Sequence, residues 1–101
     1  MERFSDRRID ETGKLKIPIT ILKNEEWVKG TKLALTQVGK LGILQPPHLA
    51  AGLYHEEVII DELGRISLSI DIRDELQWNV CDTVSVYYLS KGIVAIKKYY
   101  D

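Results

Sequence analysis

The sequence predicts a mostly-β protein made of two tandem copies of one unit, each copy carrying one short helix. Three observations carry that prediction. Residues 9–21 recur at 60–72 without a gap, a spacing of 51, with Asp, Glu and Gly identical and the apolar positions in phase. Trp27 and Trp78, the two tryptophans of the chain, stand at the same spacing. In both copies a strict apolar–polar alternation follows the shared Asp-Glu-x-Gly-Lys/Arg segment, and period-two alternation marks a strand with one buried face. With 45% hydrophobic and 29% charged residues, the chain has the composition of a folded domain. Over 101 residues, two separate cores would each bury too little surface, so one shared core is expected. The reading is a single unit over 1–101, with repeat one at 5–45, a connector at 46–56 and repeat two at 57–99.

Each copy reads the same way. A first strand leads into a tight reversal, where Gly13 and Gly64 supply a positive φ and the Asp10 and Asp61 side chains bond forward to the turn amides. In the strand that follows, Leu15, Ile17 and Ile19 alternate with Lys14, Lys16 and Pro18, and Ile66, Leu68 and Ile70 alternate with Arg65, Ser67 and Ser69. Pro18 cannot donate to a ladder and is expected at an edge or bend. Helices are expected at 21–27 and 72–78, with Thr20 and Asp71 as N-caps and Asp71 in the favourable first turn. Trp27 and Trp78 then close each helix onto the core. Gly30 suits the first helix exit, and Asn79 and Cys81 occupy that region in the second copy. Strands at 32–38 and 42–44, then 83–89 and 93–98, finish the copies, with turns at Gly39-Lys40 and Ser90-Lys91-Gly92. Pro46-Pro47 stops the strand before the connector, and a short helical turn is expected at 48–52.

Charge is uneven. Residues 1–50 hold nine Lys and Arg against six Asp and Glu, and residues 51–101 hold five against nine. A polyanion site is therefore expected mainly on the first half. One cysteine, Cys81, allows no internal disulfide. The N-terminus lacks a stretch of signal-peptide length and no apolar run approaches a membrane span, so a cytoplasmic protein without membrane partners is expected.

The segment 58–73, with Ile60-Asp61-Glu62-Leu63-Gly64-Arg65 at its centre, resembles the opening of the AbrB/SpoVT/MazE family of small bacterial DNA-binding proteins. Val94-Ala95-Ile96-Lys97-Lys98-Tyr99 resembles the family's last strand, and the first copy keeps the family's Ile-Pro pair at Ile17-Pro18. The resemblance implies a swapped-hairpin (AbrB-like) β-barrel, in which hairpins from two units interleave. Here two tandem repeats supply both units within one chain, and a homodimer of chains is also compatible. The physical logic agrees, since one repeat cannot close its own sheet edges.

The resemblance further implies a transcription regulator that binds double-stranded DNA through basic residues around the paired turns. Carried onto this chain, the DNA-binding set is Arg7, Arg8, Lys14 and Lys23 in the first copy and Arg65 and Arg73 in the second. Asp10, Gly13, Asp61 and Gly64 are the structural turn residues. The second copy departs at Val58 and Ile59, which stand where the first has its basic pair, and at Asp74 beside Arg73. The competing reading makes Lys14 and Arg65 solvated turn residues and pairs Arg73 with Asp74 or Glu75. A barrel that binds a protein partner, including an antitoxin-like one, is the alternative class. The antitoxins of this family usually carry a long acidic tail, against only Tyr99-Tyr100-Asp101 here.

Other chemistry finds little support in the sequence. His48 and His55 lie in the connector, and a metal site joining them to Cys81 needs a fourth ligand and convergence of distant segments. Glu56-Glu57 are neighbours on a strand and face opposite ways. Gly39 and Gly42 fit a hairpin better than a phosphate loop. Tyr87-Tyr88 and Tyr99-Tyr100 could stack on bases, but alternate packing in a sheet is favoured. No enzyme activity, metal or cofactor is expected.

Overall fold

The computed structural model describes residues 2–99. The element order is β1 (Glu2–Arg8), β2 (Lys14–Lys16), α1 (Ile19–Glu25), β3 (Lys32–Val38), β4 (Leu41–Gln45), a 3-10 turn (Pro47–Ala50), β5 (Glu56–Ile59), β6 (Arg65–Ser67), α2 (Ile70–Leu76), β7 (Thr83–Ser90) and β8 (Ile93–Lys98). The protein is thus mostly β with two short helices, and the order of elements in residues 2–45 recurs in residues 56–98. The expected helical turn in the connector falls at Pro47–Ala50, and β5 begins at Glu56, the last connector position in the sequence reading.

Two sheets form. One is six-stranded and open, in the order β1-β7-β8-β4-β3-β5, and the other is the pair β2-β6. All pairings are antiparallel, and four of the six join one half of the chain to the other: β1 to β7, β2 to β6, β3 to β5 and β4 to β8. Only the hairpins β3-β4 and β7-β8 stay within a half. Each half alone would expose four rows of unpaired backbone groups, a standing cost when buried.

One apolar cluster draws on both halves. Leu33, Leu35 and Leu44 from the first and Val84, Val86, Val94 and Ile96 from the second line one face of the large sheet. Leu15 and Ile66, directly opposite each other on β2 and β6, cover them and are fully buried. Ile21 from α1, Ile72 and Leu76 from α2, and both tryptophans close the flanks. The Trp78 ring lies on the backbone of Gly42, where an added Cβ would come within 2.8 Å of it. That contact requires glycine, because an indole tip held in a core has nowhere to move.

The helices begin two residues earlier than the sequence suggested, and the caps differ. Pro18, not Thr20, is the N-cap of α1, its carbonyl accepting from the Ile21 and Leu22 amides at 3.0 and 3.1 Å. Ser69, not Asp71, caps α2, its hydroxyl accepting from the Ile72 amide at 3.1 Å. Both helices stop at a left-handed residue, Glu26 and Gln77, each at φ 58. The following tryptophan amides reach back, Trp27 to the Leu22 carbonyl at 2.9 Å and Trp78 to the Arg73 carbonyl at 2.8 Å. This is a Schellman closure with tryptophan just past the left-handed residue, where an apolar side chain packs back on the last turn. The tryptophans therefore follow the helices instead of ending them, and Glu26, not Gly30, makes the first helix exit.

Gly30 and Cys81 share another role. Both have positive φ, 90 and 70, and each donates its amide across to the other half: Gly30 to the Ile60 carbonyl at 2.8 Å, Cys81 to the Ile9 carbonyl at 2.7 Å. The carbonyls of Thr31 and Asp82 accept in return from the Ile60 and Ile9 amides.

Two stability predictions follow from buried contacts. The Thr36 hydroxyl is buried and has no hydrogen-bond partner among the described residues. Thr36→Val keeps the shape and is expected to raise the unfolding free energy by about 1 kcal/mol in urea melts. Gly42→Ala drives a methyl into the Trp78 ring and is expected to lower it by about 1–3 kcal/mol.

Candidate nucleic-acid interface

The site is built on the two Asp–Gly turns. Asp10 accepts through Oδ1 from the Thr12 and Lys14 amides at 2.9 Å each and from the Thr12 hydroxyl at 2.7 Å. Asp61 accepts in the same way from the Leu63 and Arg65 amides at 2.9 and 2.8 Å. Gly13 and Gly64 close the turns at φ 80 and 78. The turns then lock each other: the Ile17 amide donates to the Gly64 carbonyl at 3.0 Å and the Leu68 amide to the Gly13 carbonyl at 2.9 Å. The forward bonds expected of both aspartates are present, and the two turns stand side by side.

Because Leu15 and Ile66 face the core, their neighbours Lys14, Lys16, Arg65 and Ser67 face outward. Lys14 lies opposite Ser67, and Lys16 lies opposite Arg65. Like charges directly opposite in an antiparallel pair weaken it. The protein relieves this in part: Arg65 donates to Asp61 at 2.9 Å and stands 3.7 Å from Asp10, and the Lys16 ammonium donates to the Leu63 carbonyl. Lys14 has no ion-pair partner among the described residues and is half exposed. Arg65 thus spans the two turns, bonded to one carboxylate and facing the other.

The remaining candidates divide. Arg8 is exposed and lines a surface depression with Asp10, Glu11, Thr12, Arg65 and Cys81. Arg7, its neighbour on β1, points to the opposite face and donates to the Asp6 carbonyl at 3.0 Å, so the two arginines cannot act on one surface. Arg73 folds its guanidinium over Gly13, 3.3 Å from where a Cβ would stand, and donates to the Leu68 carbonyl at 3.3 Å. It makes no ion pair with Asp74 or Glu75. Lys23 is exposed in the last turn of α1 and lines an apolar depression with Ile19, Leu22, Trp27 and Val28, not the depression that Arg8 and Arg65 line. The structure therefore gathers Arg8, Lys14, Arg65 and Arg73 and leaves Arg7 and Lys23 apart. Lys16 joins the gathered set, although sequence reasoning did not single it out. The available signal was its i,i+2 spacing from Lys14 on a strand.

The other polar candidates lie elsewhere. Tyr88 packs partly against the core, donating to the Glu25 carboxylate, while Tyr87 faces the other side of the sheet. Tyr99 is 39% exposed at the end of β8, and Tyr100 lies outside the described residues. His55 meets the Leu53 carbonyl at 2.9 Å, and His48 is exposed in the 3-10 turn. Among the described residues no three His, Cys, Asp or Glu side chains converge as a metal site would require, and no helix is long and apolar enough to cross a membrane.

The turn carboxylates are electrostatically tied down. The Lys14 amide, then the Thr12 hydroxyl, and the nearby Arg65 charge hold Asp10 below the usual aspartate range. For Asp61 desolvation pulls upward, but the Arg65 and Leu63 amides and the Arg65 guanidinium outweigh it, and the net shift is again downward. Comparison with family models, with curated proteins and with solved structures returns no match.

A pH prediction follows. A carboxylate whose folded pKa is depressed adds stability that is fully present above its unfolded pKa, about 3.9, and lost as pH falls through the folded value. Stability should therefore drop from about pH 5 downward. Asp10→Asn with Asp61→Asn, which keeps one acceptor oxygen for the turn amides, gives up the Asp61 Oδ2 that accepts from Arg65 and removes the titration, should flatten that drop in urea melts taken between pH 7 and pH 3.

Proposed function

We propose that this chain is an AbrB-type swapped-hairpin barrel made of two tandem repeats, and that it binds double-stranded DNA with the outward face of the β2-β6 pair. One observation carries the reading. Lys14, Lys16 and Arg65 are crowded onto a ladder of three residue pairs, with Lys16 and Arg65 directly opposite. Such crowding weakens the ladder and favours a polyanion laid across it. The ladder is fixed by two interlocked turns, so these groups are presented on a rigid base, as phosphate contacts require. The exchange of strands between halves supports the barrel reading, with each first strand paired to the other half. A bacterial transcription regulator is the functional class this proposal assigns.

The electrostatics set the expected strength. Around the paired turns stand Arg8, Lys14, Lys16, Arg65 and Arg73, against Asp10, Glu11, Asp61 and Glu62. That near balance predicts modest affinity with a clear dependence on salt. Glu11 and Glu62 are exposed at the turn tips and hold no turn amide, so they oppose a phosphate backbone without supporting the fold.

A fluorescence-anisotropy titration of labelled AT-rich duplex at several salt concentrations tests the proposal. Each phosphate contact contributes about −0.9 to the slope of log K against log salt, so Lys14→Ala with Lys16→Ala should make the slope shallower by roughly 2 and weaken binding. Glu11→Gln with Glu62→Gln should tighten it, by roughly threefold per removed charge. Absence of binding at low salt, or binding indifferent to the lysine pair, overturns the DNA reading and favours a protein partner.

A further inference from the structure

Two isoleucines stand exposed at matched places beside the β2-β6 ladder. Ile19 heads α1 and Ile70 heads α2, and they are 58% and 66% exposed. Around them the surface changes between the copies: Lys16 against Ser67, Thr20 against Asp71, Leu22 against Arg73, Lys23 against Asp74. Ile19 and Ile70 do not change. Within the recurring segment the other exposed match is Glu11 with Glu62, at the turn tips.

Packing does not account for the isoleucine match. The core-facing residue of each first turn is Ile21 or Ile72, 0% and 3% exposed. An exposed β-branched residue in a helix gives up side-chain freedom without gaining burial. One such residue alone needs no explanation. The same residue kept in both copies, among neighbours that differ, points to a demand from outside the fold.

The ladder places the pair. Leu15 and Ile66 lie directly opposite at its centre, so its local twofold axis passes between them. Ile19 and Ile70 each come four residues after that centre, and the strands run antiparallel, so they flank the ladder at opposite ends. Ile19 lines one surface depression together with Lys16, which ties it to the basic face. At about 3.3 Å per residue the two isoleucines stand at most about 26 Å apart, or some seven base-pair steps of about 3.4 Å.

We infer that Ile19 and Ile70 read thymine methyl groups in the major groove of duplex DNA, one on each side of the ladder. The inference rests on the DNA reading of this face and adds a source of base preference to it. Lys14, Lys16 and Arg65 bring phosphates to the ladder but carry no sequence information. The major groove, about 12 Å wide, admits a two-stranded ribbon, and the thymine C5-methyl is the apolar group on its base edges. A pseudo-twofold pair of isoleucines fits a site with A·T pairs placed symmetrically about its centre.

The test compares a duplex of alternating A and T with the same duplex carrying deoxyuridine in place of every thymine, which deletes the methyl groups and keeps the phosphates. By fluorescence anisotropy, the wild type should bind the uracil duplex about fourfold more weakly per methyl contact, roughly tenfold for the pair. Ile19→Ala with Ile70→Ala should bind the thymine duplex roughly tenfold more weakly and no longer tell the two duplexes apart. Its salt slope should match that of the wild type, because no phosphate contact is lost. Both positions are exposed and alanine is the better helix former, so its thermal melt should not fall. Equal affinity of the wild type for both duplexes, or an undiminished preference for thymine in the alanine variant, overturns the inference and leaves the DNA reading standing. No binding of either duplex at low salt overturns the DNA reading and the inference with it.

Discussion

The fold depends on a reciprocal exchange of backbone hydrogen bonds between the two halves of the chain. Gly30 and Cys81 donate across to Ile60 and Ile9, and Ile17 and Leu68 donate across to Gly64 and Gly13. Ile17 and Leu68 are buried, and a buried amide left without a partner costs on the order of 1–3 kcal/mol, so each half relies on the other to hold these segments. The same exchange sets the two Asp–Gly turns side by side and gives β2 its strand partner, β6. Everything proposed for the outward face rests on that placement. A three-residue strand has no stability of its own, and β2-β6 survives because Leu15 and Ile66 anchor it in the common core.

Inside this shared frame, the copies differ where the frame does not constrain them. Positions facing the core keep their character: Leu15 against Ile66, Ile17 against Leu68, Ile21 against Ile72, Trp27 against Trp78. The backbone geometry is kept as well, at Glu26 and Gln77 alike and at Cys81, where the first copy has glycine. Cys81 holds φ 70 where Gly30 holds φ 90, and a left-handed conformation strains any residue with a Cβ. The bond from its amide to Ile9, at 2.7 Å, offsets that strain. Outward positions are free to differ, and there a leucine faces an arginine across the pseudo-symmetry.

Much of this is legible in the sequence. The 51-residue spacing located both turns, the aspartate oxygens that hold them and the strand that follows, because glycine at positive φ and period-two burial are strict demands. The hairpins at 32–45 and 83–98 were legible from their turn glycines, Gly39 and Gly92, although runs such as Leu33–Thr36 and Val84–Val86 are buried without alternation. The helix ends were less so. Thr20 and Asp71 have good capping side chains, but they lie inside the helices, because Ile21 and Ile72 must point into the core and the closure at Glu26 and Gln77 fixes the other end. A left-handed glutamate or glutamine carries no marker comparable to glycine. The placement of Arg7 and Arg8 on opposite faces follows from strand geometry, yet it needs the phase of β1 relative to Ile9, which only the packed structure supplies. Lys16 went unnoticed because the repeat aligns it with a serine.

Arg65 joins stability to the proposed function. Its guanidinium bonds Asp61 and faces Asp10 across the gap between turns, screening two carboxylates that would otherwise repel each other and any nearby phosphate. At 29% side-chain exposure it remains within reach of a ligand. A phosphate approaching it competes with Asp61 for the same donors, and each hydrogen bond gained there is partly cancelled by one loosened in the turn. Lys14 has no such obligation. The two residues occupy the same place in the repeat but carry different loads, Arg65 holding the paired turns together and Lys14 presenting its full charge outward. In the proposed DNA complex, net phosphate attraction should therefore come chiefly from the lysine side of the ladder, with Arg65 tied to the turn carboxylates.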